Sequence, residues 1–291
     1  MRDKKSAPSA KGLARLHQTR GFVFDMDGTL VLGDQKNHGL RALPGALEIT
    51  RYLSDSKIPF VVYTNGTART PAQYAENLRE AGFGLADEAM MTPASSAADL
   101  FASRGYRRVM VMGGEGMAGP LRAVGIEVVT PEGRQQADAV LVGWYPEFTF
   151  ASLEAACHCV WGGAKVFSVS QVIFFATAEG KALGTSRAIS AMLRDLTGCR
   201  INLVGKPSLH AMGSAGHRLG TKLKDMAVVG DDPDLEVPMA HRGNAMAISV
   251  NTGLGKADSF NHLPRDLHPH LSVHGVDELL TMLKTNGGSG R

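Results

Sequence analysis

A short apolar run that ends abruptly in two aspartates constrains this chain more than any other feature. Residues 22–30 read Phe-Val-Phe-Asp-Met-Asp-Gly-Thr-Leu. Such a run is typical of a buried parallel strand, and open α/β sheets place their sites beyond the carboxyl ends of strands. Asp25 and Asp27 would repel each other unless a cation joins them, and Mg²⁺ prefers carboxylate and phosphate oxygens. The pattern therefore predicts metal-assisted phosphoryl chemistry, although a solvated Asp-rich turn would have the same sequence.

Composition limits the partners and the surroundings of this chain. Its 291 residues suffice for one large or two modest domains, and its net charge is only +3. Much of that charge lies in residues 1–20, which we expect to form a mobile basic tail, and residues 286–291 are expected to be flexible. The near-neutral remainder gives no indication of a nucleic-acid partner, and no segment is apolar enough to predict a membrane span. Three cysteines are too few for a disulfide framework, so a cytoplasmic protein is expected.

Apolar runs alternate with helical patterns along the chain, which predicts an α/β protein with a parallel sheet. Thr70, Pro71 and Gln73 have the spacing of a helix start, with Gly82 as the stop. The predicted strands cover residues 22–25, 59–63, 107–112, 137–142, 164–169, 201–204, 225–229 and 245–250, and the predicted helices cover 44–54, 71–81, 152–161 and 182–196.

Polar residues follow four of the predicted strands and together form a candidate catalytic set. Asp25 can act as a carboxylate nucleophile, and Asp27 can protonate the leaving group and then activate water. Lys206 can neutralise charge on the phosphoryl group, while Asp231 can complete a metal site with the first two aspartates. The remaining members, which would bind phosphoryl oxygens, are Thr64, Asn65 and Gly66.

These motifs resemble those of the haloacid dehalogenase (HAD) superfamily. The order and spacing are similar to subfamily IIA, the branch that contains 4-nitrophenyl phosphatases, phosphoglycolate phosphatases and pyridoxal phosphatases. The resemblance implies the roles given above, Mg²⁺ as the cofactor, and the backbone carbonyl of Asp27 as a metal ligand. It is carried by Asp25-Met-Asp-Gly-Thr, Thr64-Asn65-Gly66, Gly205-Lys206-Pro207 and Gly230-Asp231-Asp232.

The resemblance also implies a division into domains. A Rossmann-like core would comprise residues 21–96 and 200–285, interrupted by an α/β cap of the C2 type at residues 97–199. Such a cap closes over the site and shapes the pocket for the leaving group. Members of the branch often dimerise through the cap, so a homodimer is expected.

Two stretches depart from the pattern of the branch. Leu235-Glu236 replaces the usual Thr-Asp, and Glu236 and Asp232 become candidates for binding the metal through water or orienting Lys206. The substrate loop of the cap lacks its usual Asn and Asp, which predicts a less charged or more apolar leaving group. The residues expected to set specificity there are Ser168, Ser170, Gln171 and Phe174.

The leading hypothesis is a Mg²⁺-dependent hydrolase of small organic phosphate monoesters that works through an aspartyl-phosphate intermediate. A phosphotransferase that uses an acceptor hydroxyl is the alternative enzyme. A non-catalytic ligand-binding protein on the same scaffold is the third reading, although the joint presence of Asp25, Asp27, Lys206 and Asp231 argues against it.

Overall fold

The chain divides into two compact units in the computed structural model. The first unit contains residues 1–63, 75–90 and 215–291, and the second contains residues 64–74 and 91–214. The residues that the structure describes are 9–34, 39–177, 180–253, 259–261 and 263–285.

A six-stranded sheet forms the centre of the first unit. Its strand order is β15-β14-β13-β1-β4-β5, and the pairs β15–β14, β14–β13, β13–β1 and β1–β4 are parallel. The predicted α/β class with a parallel sheet is thereby confirmed. The strands are β1 (Gly21–Asp25), β4 (Phe60–Tyr63), β5 (Met90–Met91), β13 (Met226–Gly230), β14 (Met246–Val250) and β15 (Leu271–Val273), and a separate antiparallel pair comprises β2 (Val31–Asp34) and β3 (Gly39–Ala42).

The central strands are buried on both faces, which explains their continuous apolar sequences. Every residue of β1, β13 and β14 is buried. Phe22 and Phe24 are completely buried, and their rings stack with centroids 5.7 Å apart. At about 25 cal/mol per Å² of apolar area, these two rings alone contribute several kcal/mol to folding.

Helices accompany the sheet of the first unit. Those that lie in the first unit are α1 (Ala10–His17), α2 (Ala46–Asp55), α9 (Glu236–Arg242) and α10 (Val276–Lys284), while the division into units falls within α3 (Pro71–Glu80) and α8 (Leu209–Leu219). No helix among the described residues is long and apolar enough to cross a membrane.

The N-terminal segment is ordered from Ser9 onward, contrary to the prediction of a mobile tail. Ser9 caps α1 by accepting a hydrogen bond from the amide of Gly12 at 3.0 Å. Leu16 is only 1% exposed, and the Arg15 guanidinium donates to the carbonyl of Asn244 at 2.9 Å. Lys11 and Arg15 therefore belong to the polar face of an amphipathic helix. Residues 1–8 and the predicted tail at 286–291 lie outside the described residues.

The second unit has its own parallel sheet of five strands, in the order β12-β9-β8-β6-β7. Helices α4 (Pro93–Ser103) and α6 (Phe150–Trp161) both start with a Thr–Ser capping box. The strands are β6 (Arg108–Met112), β7 (Glu127–Val129), β8 (Ala139–Val142), β9 (Lys165–Ser168) and β12 (Ile201–Leu203), and the other helices are α5 (Glu115–Ala123) and α7 (Thr185–Thr197).

Strand β12 lies in a different sheet from the one the sequence analysis assumed. It pairs with β9, so that Ile201 is opposite Val166. Residues 201–203 therefore belong with the inserted segment, although the predicted core began at residue 200. Consequently Lys206 lies beyond a strand of the five-stranded sheet, whereas Asp25 is the last residue of a strand of the six-stranded sheet.

The helix predicted over residues 182–196 begins later than expected. Residues 180–183 form β11 (Gly180–Leu183), which pairs antiparallel with β10 (Phe174–Thr177). The helix starts only at Thr185, after Gly184. Ala182 and Leu183 favour a helix by intrinsic propensity, and pairing with β10 overrides that preference.

Leu16→Ala should lower the free energy of unfolding by about 2–4 kcal/mol, because it removes a fully packed side chain of α1. Leu32→Ala is the matched control, since Leu32 is 44% exposed. The free energy of unfolding of the Leu32→Ala variant should fall by less than about 0.5 kcal/mol. Urea unfolding measures both, and equal values for the two variants would mean that α1 does not pack in solution.

Candidate active site

The first aspartate lies at the carboxyl edge of the six-stranded sheet. Asp25 is the last residue of β1 and is paired in register with Tyr63, the last residue of β4. On the other side, Phe24 is level with Val229 near the end of β13. Asp231 and Thr64 are the chain residues that directly follow β13 and β4. The strands that precede Thr64 and Asp231 are therefore the two neighbours of β1 in the sheet.

A tight loop after β1 holds the Asp25 carboxylate. The amide of Leu30 donates to the carbonyl of Met26 at 3.0 Å, and that of Gly28 donates to Val31 at 2.8 Å. The Thr29 hydroxyl, which is completely buried, donates to Asp25 Oδ2 at 3.3 Å. Asp25 is 7% exposed, so its carboxylate is largely screened from water.

Asp27 lies in the same loop but in a different environment. Its side chain is exposed, whereas the residues on both sides of it in the loop are buried. An exposed carboxylate can exchange protons with solvent, and a buried one is better suited to nucleophilic attack because it carries less bound water. The two aspartates thus differ in solvent exposure, which suits Asp25 to its predicted role as nucleophile and Asp27 to its predicted role in proton transfer.

Glycine at position 28 lets the Asp231 carboxylate approach this loop. Gly28 has φ = +82°, and a Cβ at this position would lie 2.5 Å from Asp231 Oδ2. A Cβ at Gly253 would collide with the same oxygen. Asp231 is 4% exposed, and the Thr252 hydroxyl donates to the Gly28 carbonyl at 2.6 Å. The loops after β1, β13 and β14 therefore meet at one carboxylate.

Two acidic residues beyond Asp231 shape its loop. Glu236 is 1% exposed, and its Oε2 accepts a hydrogen bond from the amide of Asp232 at 3.1 Å. The Asp232 carboxylate in turn accepts from the amide of Asp234 at 2.8 Å. Gly230 leaves the space that the Glu236 side chain fills. These contacts stiffen the loop, and a direct action of Glu236 or Asp232 on a metal or on Lys206 stays a prediction.

The acidic residues supply the oxygen donors that Mg²⁺ requires. Within the described ranges, no group of three or more His, Cys, Asp or Glu side chains is placed to hold one ion. Mg²⁺ needs fewer, because it commonly takes one or two carboxylates and completes its shell with water and phosphate. Asp25 and Asp231 are both buried and both contact residues of the loop at 26–31. Together with the Asp27 carbonyl, this donor set fits Mg²⁺.

A second polar group lies in the second unit. The Asn65 side chain makes two hydrogen bonds with the backbone of Lys206: its Oδ1 accepts from the Lys206 amide at 2.9 Å, and its Nδ2 donates to the Lys206 carbonyl at 3.2 Å. Thr64 is 4% exposed, and its hydroxyl accepts from the Gly66 amide at 3.1 Å. The structure thus brings together Asn65 and Lys206, although they are 141 residues apart.

Lys206 is held in a confined position. It is 2% exposed, and the peptide bond to Pro207 is cis. A Cβ at Gly205 would collide with the Val169 carbonyl, and one at Gly66 would collide with the Tyr74 hydroxyl. The glycines in these two motifs are therefore required by close packing around Lys206 and Thr64.

The predicted specificity residues of the cap form a connected loop. Ser168 donates from its hydroxyl to the Ser170 carbonyl at 2.8 Å, and Gln171 Nε2 donates to the Ser168 hydroxyl oxygen at 2.8 Å. The Ser186 hydroxyl also donates to the Ser170 carbonyl, at 3.0 Å. These bonds join Ser168, Ser170 and Gln171 to one another and to Ser186 of α7. Phe174 begins β10 and is 47% exposed, so it is not a core residue.

Several residues of the site were missed by the sequence analysis. Thr29 and Gly28 belong to the first motif and could have been assigned from it. The Asn65 side chain was not expected to hold the backbone of Lys206, because hydrogen bonds between distant segments leave no local pattern. Thr252 and Gly253 lie two and three residues beyond the end of β14, and this place after a buried strand is the one signal for them in the sequence.

Gly28→Ala should destabilise the first unit by about 1–3 kcal/mol, because alanine disfavours positive φ and its Cβ would press on Asp231. Gly33→Ala is the control, since nothing lies within 4 Å of the added Cβ. Thermal and urea unfolding measure both variants. A Gly28→Ala protein as stable as the control would contradict the close approach of Asp231.

Asn65→Ala should cost about 1–3 kcal/mol, because it leaves two backbone groups of Lys206 without their side-chain partner. Asn65→Asp keeps the acceptor for the Lys206 amide and should recover part of the loss. Chemical denaturation compares the free energies of unfolding of the two variants. Equal losses in both would rule out a stabilising hydrogen bond from the Lys206 amide to Asn65 Oδ1.

Comparison with known protein families gives two matches. The model of the haloacid dehalogenase-like hydrolase family matches residues 22–127, and a second HAD-hydrolase-like model matches residues 203–279. The two matched segments contain Asp25, Asp27, Thr64, Lys206 and Asp231, and together they cover more than half of the chain.

Individual relatives extend the similarity over nearly the whole chain. The chain is 26% identical over 261 residues to 5′-nucleotidase YutF of Bacillus subtilis, covering 89% of this chain and 96% of the relative. It is 27% identical over 236 residues to an acid sugar phosphatase of Staphylococcus epidermidis, covering 81% and 87%. The crystal structure of 4-nitrophenylphosphatase from Thermotoga maritima superposes with a TM-score of 0.81 at 25% identity, covering 92% of this chain and 99% of that chain. This protein therefore belongs to the haloacid dehalogenase-like hydrolases.

Proposed function

We propose that this protein is a Mg²⁺-dependent phosphatase that hydrolyses small organic phosphate monoesters through an aspartyl-phosphate on Asp25. The observation that carries the proposal is the environment of Asp25: a buried carboxylate at a strand end, in a loop that also contacts Asp231. Its relatives named above are a 5′-nucleotidase, an acid sugar phosphatase and a 4-nitrophenylphosphatase, and each name denotes action on a phosphate monoester.

The first half-reaction transfers the phosphoryl group to the protein. An Asp25 carboxylate oxygen forms a bond to phosphorus while the bond from phosphorus to the ester oxygen breaks. Asp27, in its protonated form, donates its proton to the departing alkoxide. The exposure of the Asp27 side chain supports this role, since the water of the second half-reaction can reach it.

The second half-reaction regenerates Asp25. The Asp27 carboxylate takes a proton from a water molecule, whose oxygen attacks phosphorus, and the bond between phosphorus and the Asp25 oxygen breaks. Inorganic phosphate leaves, and Asp27 is again protonated. Thr29, which donates to Asp25 Oδ2, orients the carboxylate in both steps.

The phosphoryl oxygens carry the charge that the protein has to stabilise. Lys206 supplies a positive charge to them, the Thr64 hydroxyl and the backbone amide of Asn65 bind them, and Gly66 holds this turn through its hydrogen bond to Thr64. The hydrogen bonds between Asn65 and the Lys206 backbone support this assignment, because preorganised donors cost no rearrangement during reaction.

Mg²⁺ supplies charge neutralisation at the phosphoryl group when bound. Asp25, Asp231 and the Asp27 carbonyl would hold it, and Glu236 keeps the Asp231 loop rigid through its bond to the Asp232 amide. Asp232 and Glu236 influence the metal indirectly, because their hydrogen bonds hold the loop that carries Asp231.

The cap loop selects the leaving group in this proposal. Ser168, Ser170 and Gln171 engage one another's polar groups, and Ile173 and Phe174 next to them are 63% and 47% exposed. A loop with this lining favours a less charged or more apolar leaving group. We further propose that residues 97–199 mediate a homodimer and that the protein works in the cytoplasm, where its three free cysteines stay reduced.

Asp25→Asn should reduce phosphate release from 4-nitrophenyl phosphate by at least about 10³-fold, because the amide is a poor nucleophile. Rapid acid quench of the wild type with ³²P-labelled substrate should trap radioactivity that hydroxylamine releases, as expected of an acyl phosphate. Asp55→Asn, on the exposed end of α2, is the control. Wild-type turnover by the Asp25 variant would exclude it as the nucleophile. Added alcohols that capture most of the phosphoryl group would instead indicate the phosphotransferase.

Asp231→Ala should raise the Mg²⁺ concentration needed for half-maximal activity by about tenfold or more, because it removes one of the two carboxylate ligands. Asp234→Ala, whose side chain is exposed in the same loop, is the matched control. Activity is titrated with Mg²⁺ after chelation, and equal requirements in the two variants would contradict the metal assignment.

A panel of monoesters with Mg²⁺ should show kcat/KM values about tenfold higher for aromatic phosphates than for phosphoglycolate. The reason is the loss of charged groups from the cap loop. Phosphoglycolate as the preferred substrate would overturn the proposed selectivity and leave the phosphatase assignment intact.

A further inference from the structure

A cavity of about 340 Å³ lies in the first unit, away from the aspartates. Met226 and Met246, the first residues of β13 and β14, form part of its wall. Asp25 and Asp231 lie at the opposite ends of the strands, so the cavity opens at the other edge of the sheet. Its volume is within the range of about 300–1,000 Å³ that is usual for small-molecule sites.

The lining of this cavity is strongly cationic. Lys11 and Arg15 are four residues apart on α1, which places them on one face of the helix. Lys224 contributes a third positive charge from the short turn before β13, and Asp225 contributes one negative charge. The described lining therefore carries a net charge of +2 at neutral pH.

Arg15 is placed to bind an anion with little further loss of hydration or side-chain freedom. Its Nη2 already donates to the Asn244 carbonyl, which fixes the guanidinium. Burial lowers the pKa of Arg15, so part of its hydration has been lost before any ligand arrives. An anion in contact with the guanidinium would offset this desolvation.

His270, a neighbour of α1, adds no charge at neutral pH. Its Nδ1 accepts a hydrogen bond from the Ala247 amide at 2.9 Å. Burial lowers the pKa of His270 to about 4, with smaller contributions from Arg15, His241 and Lys11. The positive charge of the cavity is therefore that of its lysines and arginine.

The remaining wall combines polar and apolar groups. Gln18 and Thr19 line it from the end of α1, and the Thr19 hydroxyl contacts Met246 Sδ at 3.9 Å. Met226 and Met246 have almost no exposed surface of their own, and Ala14 is the exposed apolar residue of the lining. A ligand with a small apolar part beside its anionic group would match both parts of the wall.

We propose that this cavity binds phosphate-bearing small molecules, with the phosphate between Lys11, Arg15 and Lys224 and any apolar part against Ala14. The net charge of +2 complements a phosphate dianion better than a monocarboxylate. The proposal does not rest on the phosphatase assignment, because none of these residues belongs to the proposed catalytic set.

Calorimetric titration of the full chain in chelator tests the proposal, with inorganic phosphate and phenylphosphonate as the two probes. Lys224→Glu should lose one bound equivalent per chain, and Lys224→Gln should raise the Kd about tenfold, the equivalent of one charge-assisted contact. Arg51→Glu, an equal charge change on an exposed part of α2, is the matched control.

Each outcome of the titration is decisive. Tighter binding of phenylphosphonate than of phosphate identifies an organic phosphate as the ligand class, and the reverse identifies inorganic phosphate. Anion binding elsewhere in the protein would be the same in Lys224→Glu and Arg51→Glu. Equal stoichiometry and Kd in these two variants would overturn the proposal, as would an equal effect of chloride at matched ionic strength.

Discussion

The close approach of the Asp231 carboxylate to the backbone of Gly28 is the contact on which the arrangement of acidic groups depends. It joins the loop after β1 to the loop after β13, and Gly253 brings in the loop after β14. Parallel strands alone bring their ends to one edge of a sheet without fixing the loops beyond them. Here the left-handed conformation of one glycine, with φ = +82°, lets those loops meet.

Bringing these loops together costs electrostatic free energy, because it places two buried carboxylates in one site. Asp25 and Asp231 are buried carboxylates that contact the same short loop, and like charges in a shared site raise each other's free energy. A divalent cation relieves this repulsion and the phosphate of a substrate adds further negative charge, which Lys206 balances in the proposed reaction. Metal and substrate would therefore favour each other's binding.

The sequence predicted the central strands well because each is a buried apolar run that ends in a polar turn, as in β1, β4, β13 and β14. It failed for α1, whose lysines and arginines resemble a solvated tail until Leu16 is seen in the core. It also failed for β12, because the choice of partner strand depends on the assembled sheet. The candidate site was predictable as a set of motifs, whereas hydrogen bonds such as those between Asn65 and Lys206 depend on tertiary structure.

The Asn65–Lys206 pairing has a consequence for how the inserted segment can change. One side-chain amide fixes two chain positions that are 141 residues apart, so both ends of the intervening segment are tied at the same point. Lengthening a closed loop costs little additional entropy once its ends are joined. The segment between them can therefore gain, lose or exchange surface loops with little effect on its anchoring, which offers evolution a route to new substrates on an unchanged set of reacting groups.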